Sequence, residues 1–206
     1  MAFRIEAAAL AFLMAVPSVA QEYAVRGGLL RVSGDSIAFE AAAKHQERSR
    51  QWKLDDIRQL TLGSTFLRVQ TYEGRNRKYV FDPVPRALAE KWYPVFSTQR
   101  DQRFVAALAD ERAPAEWQLP VKLRSKVQGV LLVSAGRVVF RATPEGESRT
   151  WRIGDIESVA SAGRFDLTVT TREKEFRFDL KQALPEPRYQ ELWRAVNRAQ
   201  GLEILQ

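Results

Sequence analysis

The chain has 206 residues, of which 45% are hydrophobic and 28% charged, with a formal net charge of +7 and no cysteine. This is the balance of an ordinary globular protein of one or two domains, without the low hydrophobicity of a disordered chain. The absence of cysteine excludes thiol catalysis, cysteine-based zinc sites and disulfide staples, and the basic surplus favours anionic partners.

In chain order, the first twenty residues read as a secretory signal peptide. Arg4 supplies a positive start, Ala7 to Val16 is an apolar run, Pro17 breaks it, and Ser18-Val19-Ala20 offers small residues for cleavage before Gln21. The run is too short for a comfortable membrane span. Glu6 departs from the pattern, and an uncleaved membrane anchor or a buried N-terminal helix is the alternative. The sequence therefore predicts an exported protein, periplasmic or secreted, for which nucleic acid is a poor partner.

Strand-like patterning follows. Leu30 and Val32, then Ile37 and Phe39, alternate with polar residues on either side of Ser33-Gly34-Asp35-Ser36, which predicts a hairpin. Trp52 and Leu54, Leu60 and Leu62, then Leu67, Val69 and Thr71 continue as strands. A turn over 73–76 leads to Tyr79-Val80-Phe81. After Asp82-Pro83-Val84-Pro85 the period changes: Leu88, Trp92, Val95 and Phe96 share one face of a helix. Residues 100–113 carry Phe104, Val105 and Leu108 among charges, and predict a further, connecting helix.

Most of this order then recurs. Gly28-Leu29-Leu30-Arg31-Val32-Ser33 returns as Gly129-Val130-Leu131-Leu132-Val133-Ser134, and Trp52 to Ile57 returns as Trp151 to Ile156. Tyr79-Val80-Phe81-Asp82 returns as Phe176-Arg177-Phe178-Asp179, and Trp92 answers Trp193, all at offsets of 97 to 101 residues. That period is too long for a solenoid repeat and suits a small domain, so two copies of one fold are expected. The expected units are a signal peptide over 1–20, a first repeat with its connecting helix over 21–112, and a second repeat over 113–206.

The repeated unit resembles the pleckstrin-homology-like (PH-like) superfold, most closely its GRAM-like and bacterial members. The likeness rests on the Gly-x-Leu-x-Val strand and tight turn of Gly28 to Phe39 and Gly129 to Phe140, the apolar–Asp–Ile steps ending at Ile57 and Ile156, and a Trp-bearing helix closing each copy. It implies a mainly β (α+β) protein of two tandem domains, each a strongly bent antiparallel meander or partly open barrel of six or seven strands capped by a C-terminal helix. It also implies binding rather than catalysis. Members that take phosphoinositides carry a basic cluster in their first hairpin turn. Here that turn reads as Ser33 to Ser36 and Ser134 to Gly136, without such a cluster apart from Arg137 at its edge.

Reactive constellations are not apparent. His45 is the single histidine and lies in a polar connection. Asp55-Asp56 is the one tight acidic pair of the first copy, and adjacent strand residues point to opposite faces. No catalytic, cofactor-binding or metal-binding residue is assigned; a hydrolase built on scattered carboxylates is the least favoured reading. The candidate binding residues are basic: Lys44, Arg48 and Arg50 near one connection, and Arg75, Arg77 and Lys78 in the later hairpin. The expected partner is a protein or peptide of the cell envelope, bound by strand addition to a sheet edge. The alternative is an anionic membrane lipid or envelope polymer held by those basic loops.

Overall fold

A computed structural model of the chain describes residues 21–43, 48–73, 77–98, 103–110, 114–124, 126–143 and 145–202. The leader over 1–20, Lys44, His45 and Arg75 lie outside the described residues. The fold is mainly β, with two helices and two sheets.

The first repeat runs β1 (Gln21–Val25), β2 (Gly28–Val32), β3 (Ser36–Ala41), β4 (Arg50–Lys53), β5 (Ile57–Gly63), β6 (Leu67–Thr71) and β7 (Lys78–Phe81), then helix α1 (Arg86–Ser97). After β8 (Arg103–Ala107), the same order returns as β9 (Trp117–Leu123), β10 (Gln128–Ser134), β11 (Arg137–Thr143), β12 (Arg149–Arg152), β13 (Ile156–Ala160), β14 (Asp166–Thr171), β15 (Glu175–Leu180) and helix α2 (Glu186–Ala199). Strands β1 to β4 form one antiparallel sheet. The other eleven form the second, in the order β13-β14-β15-β9-β10-β11-β12-β8-β5-β6-β7.

Local chemistry accounts for the turns. Between β2 and β3, Ser33 N–H donates to the Ser36 carbonyl at 2.9 Å, and the Ser33 hydroxyl donates to Asp35 Oδ1 at 2.6 Å. Bonds from Ser33 and Ser36 hold the Asp35 carboxyl below its ordinary pKa. Each repeat bends after β4 or β12 through a single 3-10 turn, Leu54–Asp56 or Ile153–Asp155. Asp55 and Asp56 therefore sit in a tight helical turn rather than on a strand. In the second copy Asp155 pairs with Arg152, at 2.5 and 2.7 Å.

Gly28 and Gly129 head the repeated strand because two backbones meet there. A Cβ on Gly28 would run into the Glu40 carbonyl oxygen, and one on Gly129 into that of Arg141. Only glycine allows so close an approach.

Two hydrophobic cores result, one per repeat. Each is built on the same aromatic set. Phe39 meets Phe81 and Trp52 meets Tyr79 in the first, with centroids 5.2 and 4.9 Å apart. Phe140 meets Phe178 and Trp151 meets Phe176 in the second, at 5.2 and 4.7 Å. The helices start after equivalent prolines, Pro85 and Pro185, and share one register. Trp92 and Phe96, two of the buried residues of α1, stand where α2 has its buried Leu192 and Val196. Trp193, the sequence counterpart of Trp92, is only half-buried at the rim of its core.

Two expectations need correction. The predicted connecting helix is strand β8. Phe104 and Ala106 of the strand, and Leu108 just beyond it, enter the first core at a period of two, and β8 runs parallel to β5 from Gln59↔Arg103 to Gly63↔Ala107. The edge of β5 needs backbone partners, and that demand overrides the weak helical spacing of Phe104, Val105 and Leu108. Its far side touches β12 at Thr150↔Ala106, so β8 joins the two repeats in one sheet. Secondly, the Ser33–Ser36 turn is the second hairpin, not the first. Strand β1 precedes it, and β9 precedes its counterpart at Ser134–Gly136, so the first connections are Arg26-Gly27 and the segment from Arg124 to Val127.

Candidate functional site

Four of the basic residues singled out in the sequence come together. Arg48, Arg50, Arg77 and Lys78 line one cavity of about 450 Å³ with Phe39, Tyr79, Val80 and Phe81. Arg50 opens β4 opposite Phe39 of β3, and Lys78 opens β7 opposite Gln70 of β6. Pairing of these strand ends places the β3–β4 connection beside the β6–β7 hairpin. That hairpin is fixed by bonds from Thr71 N–H to the Arg77 carbonyl at 3.1 Å and from Arg77 N–H to the Glu73 carbonyl at 3.2 Å.

The floor of the cavity is aromatic and its rim is cationic. The Arg50 guanidinium lies over the Tyr79 ring, 5.1 Å from the centroid. Tyr79 in turn leans on Trp52, which is 5% exposed. Stacking fixes the guanidinium plane while leaving its N–H donors for another group. The Tyr79 hydroxyl is buried and has no hydrogen-bond partner among the described residues. Among those residues no carboxylate pairs with Arg48, Arg50, Arg77 or Lys78.

The second repeat shows the same framework with its stacked arginine paired. Arg149 occupies the place of Arg50, its guanidinium 6.0 Å from the Phe176 ring. Glu173 meets it there, with Arg149 Nε 3.3 Å from Glu173 Oε2. Lys174 lies over the same ring at 4.9 Å. Glu175 stands where the first repeat has Lys78, and it pairs with Arg177. So, among the described residues, one copy presents arginine and lysine without a carboxylate partner over an aromatic floor, and the other pairs Arg149 with Glu173.

The lining residues Phe39, Tyr79, Val80 and Phe81 were not singled out from the sequence as site residues. Their signal was the alternating Tyr79-Val80-Phe81 run directly after Arg77-Lys78, which read only as a strand.

Further cavities lie along the seam between the repeats. One of about 340 Å³ is lined by Ala89, Leu108, Val130, Arg141 and neighbours, and another of about 420 Å³ by Tyr93, Ser97, Asp110, Arg137 and neighbours. At the seam Thr150 is 4% exposed. Its hydroxyl donates to the Leu108 carbonyl at 2.9 Å and accepts from Asp110 N–H at 2.9 Å. Arg137 pairs with Asp110, and Arg152 donates to the Ser97 carbonyl at 2.9 Å. Burial pushes the Tyr93 phenol up to about 12. These groups satisfy one another and read as the joint between the two halves. No described helix is long and apolar enough to cross a membrane.

No family model matches the chain, and no curated protein matches it. Among solved structures, one described as the structure of the Spt16D Pob3N heterodimer is similar at a TM-score of 0.31 and 10% identity, covering 76% of this chain and 89% of that one. A likeness of that size carries no functional argument.

Proposed function

We propose that this chain is an exported, non-enzymatic binding module of two tandem PH-like units, and that the first unit takes an anionic partner in the cleft of Arg48, Arg50, Arg77 and Lys78. The observation that carries the reading is the difference between the copies. One framework holds cations with no described carboxylate partner, and its duplicate holds Glu173 against Arg149. Placing four cations at one cavity costs repulsion, and an anionic ligand relieves it. Lys44 and Arg75 lie close to these residues in the sequence and outside the described residues.

The tandem PH-like reading is supported by seven strands followed by a helix, twice over, each with its own core. Export is supported by the pattern of Arg4, the Ala7 to Val16 run and Ser18-Val19-Ala20. The expected ligand is a peptide segment of an envelope protein; anionic lipid or polymer is the competing occupant of the same cleft.

The test is titration of the full chain with an acidic peptide and with inorganic polyphosphate. Wild type should bind at low ionic strength. Affinity should fall as salt shortens the screening length towards about 8–10 Å. The triple variant Arg48→Glu, Arg77→Glu, Lys78→Glu should lose binding while melting like the wild type, because all three side chains are exposed. Binding undiminished in that variant sinks the site assignment.

A further inference from the structure

The cleft lies along a strand edge. Four consecutive residues of β7, Lys78 to Phe81, line it. Successive side chains of a strand point to opposite faces. A cavity that touches all four therefore borders the edge of the strand, not one of its faces.

The direction of the backbone groups follows from one bond. Arg26 N–H donates to the Asp82 carbonyl at 2.7 Å, so Asp82 turns its polar groups toward β1. Every second residue of an antiparallel strand faces the same way. Val80 and Lys78 therefore present N–H and C=O on that same side, away from β6. No described backbone group bonds to them there: β1 ends at Val25, and the chain reverses at once through Arg26-Gly27, with Gly27 at φ +90°. The Val80 side chain is 51% exposed.

In the second repeat this stretch is filled. The first connection there has four residues, Arg124 to Val127, against two in the first repeat. The longer hairpin carries β9 alongside β15, pairing Phe178↔Leu123, Asp179↔Lys122 and Leu180↔Val121. Beyond it, Arg124 N–H donates to the Arg177 carbonyl at 3.0 Å. Arg177 is the counterpart of Val80. The chain thus supplies to β15 the strand that β7 lacks.

We propose that the edge of β7 takes an extended acidic peptide as an added strand, in the place that the β9–β10 hairpin fills in the second repeat. Main-chain bonds to Val80 and Lys78 give the register, and Arg48, Arg50, Arg77 and Lys78 meet the acidic side chains. This mode of docking suits an exposed edge, where alternate side chains give selectivity. The proposal rests on reading the cleft as an anion site and adds to it the extended backbone of the ligand.

The experiment measures fluorescence anisotropy of a labelled peptide alternating glutamate and threonine against the full chain. A second peptide of the same sequence is methylated on its backbone nitrogens, which keeps the charge and removes the donors. The methylated peptide should bind roughly tenfold weaker or worse. Val80→Pro should weaken the unmethylated peptide similarly, because it deletes an outward N–H without touching the bonds to β6. If Val80→Pro disturbs folding, the methylated peptide decides alone. If both peptides and inorganic polyphosphate bind alike, and Arg48→Glu with Arg77→Glu abolishes all three, the anion site stands and strand addition is overturned. Tight binding to phosphatidylglycerol vesicles that Val80→Pro leaves unchanged, with no peptide binding, overturns it in favour of a lipid surface. If no acidic probe binds, both readings fall.

Discussion

Arg50 lies over the ring of Tyr79, 5.1 Å from its centroid, and no described carboxylate reaches it. Its counterpart Arg149 stands over Phe176 with Glu173 in attendance. The chain thus contains both the site and a copy of it in which the stacked arginine is paired.

The two tryptophan-bearing helices should respond unequally to truncation. Trp92 is 3% exposed and touches Tyr23 and Phe96, so Trp92→Ala should cost about 3–5 kcal/mol. Trp193 lies at the rim of its core, and Trp193→Ala should cost about 1 kcal/mol. In α2 the large loss should come from Leu192→Ala, at about 2–5 kcal/mol. Denaturant melts of the three variants check this; equal losses at Trp92 and Trp193 would contradict the unequal burial of the two indoles.

Alanine at Gly28 or Gly129 should be costly for a steric reason. The new Cβ would meet a carbonyl oxygen of the neighbouring strand, which cannot move without breaking the ladder. Overpacking of this kind costs about 1–3 kcal/mol. Gly136, with open space around it, is the control: Gly136→Ala should be nearly silent in the same thermal melts.

Thr150 ties the second repeat to the segment after β8. Thr150→Val keeps the shape and removes both hydroxyl bonds, to Leu108 and from Asp110, for about 1–3 kcal/mol. Hydrogen exchange should then quicken at Asp110 before the cores of β2 or β14 change. Unchanged exchange there would mean that Thr150 is not part of the joint.

Alkaline stability should follow Tyr93. Its folded phenol titrates at about 12, above the ordinary value of 10.0, because burial disfavours the phenolate. Between those values the unfolded chain has released a proton that the folded chain still holds. Stability is therefore full below pH 10 and falls as pH rises from about 10 towards 12. Tyr93→Phe should flatten that decline, as read by urea midpoints across the range. An equally steep decline in the variant would place the titration elsewhere.

Much of the architecture was legible because duplication tests each pattern against its twin. The hairpin at Ser33–Ser36 and the strands that carry Trp52, Tyr79, Trp151 and Phe176 fall where alternation put them. Strand β1 was not legible: Gln21–Val25 is short, and its apolar residues are too few to show a period. Strand β8 was misread because its identity comes from the vacant edge of β5, a tertiary cause. Trp193 was overrated because matching tryptophan to tryptophan slips the alignment of the helices by one residue: Leu192 holds the place of Trp92, and the Trp193 indole falls at the rim. At the site, Arg48, Arg50, Arg77 and Lys78 were found by charge alone. The part played by Val80 depends on a turn two residues shorter in one copy, which only the strand register reveals.

The most direct measurement compares the two repeats in one titration series. Inorganic polyphosphate is titrated into the full chain, into Arg48→Glu with Arg77→Glu, and into Arg149→Glu with Lys174→Glu, at matched low salt. Both pairs remove the same charge from the whole molecule. The account predicts that the first pair abolishes binding and that the second leaves it within about twofold of wild type, a difference of less than 1 kcal/mol. Equal loss in both variants would show that net charge, and not the cleft of the first repeat, attracts the anion, and would contradict the account.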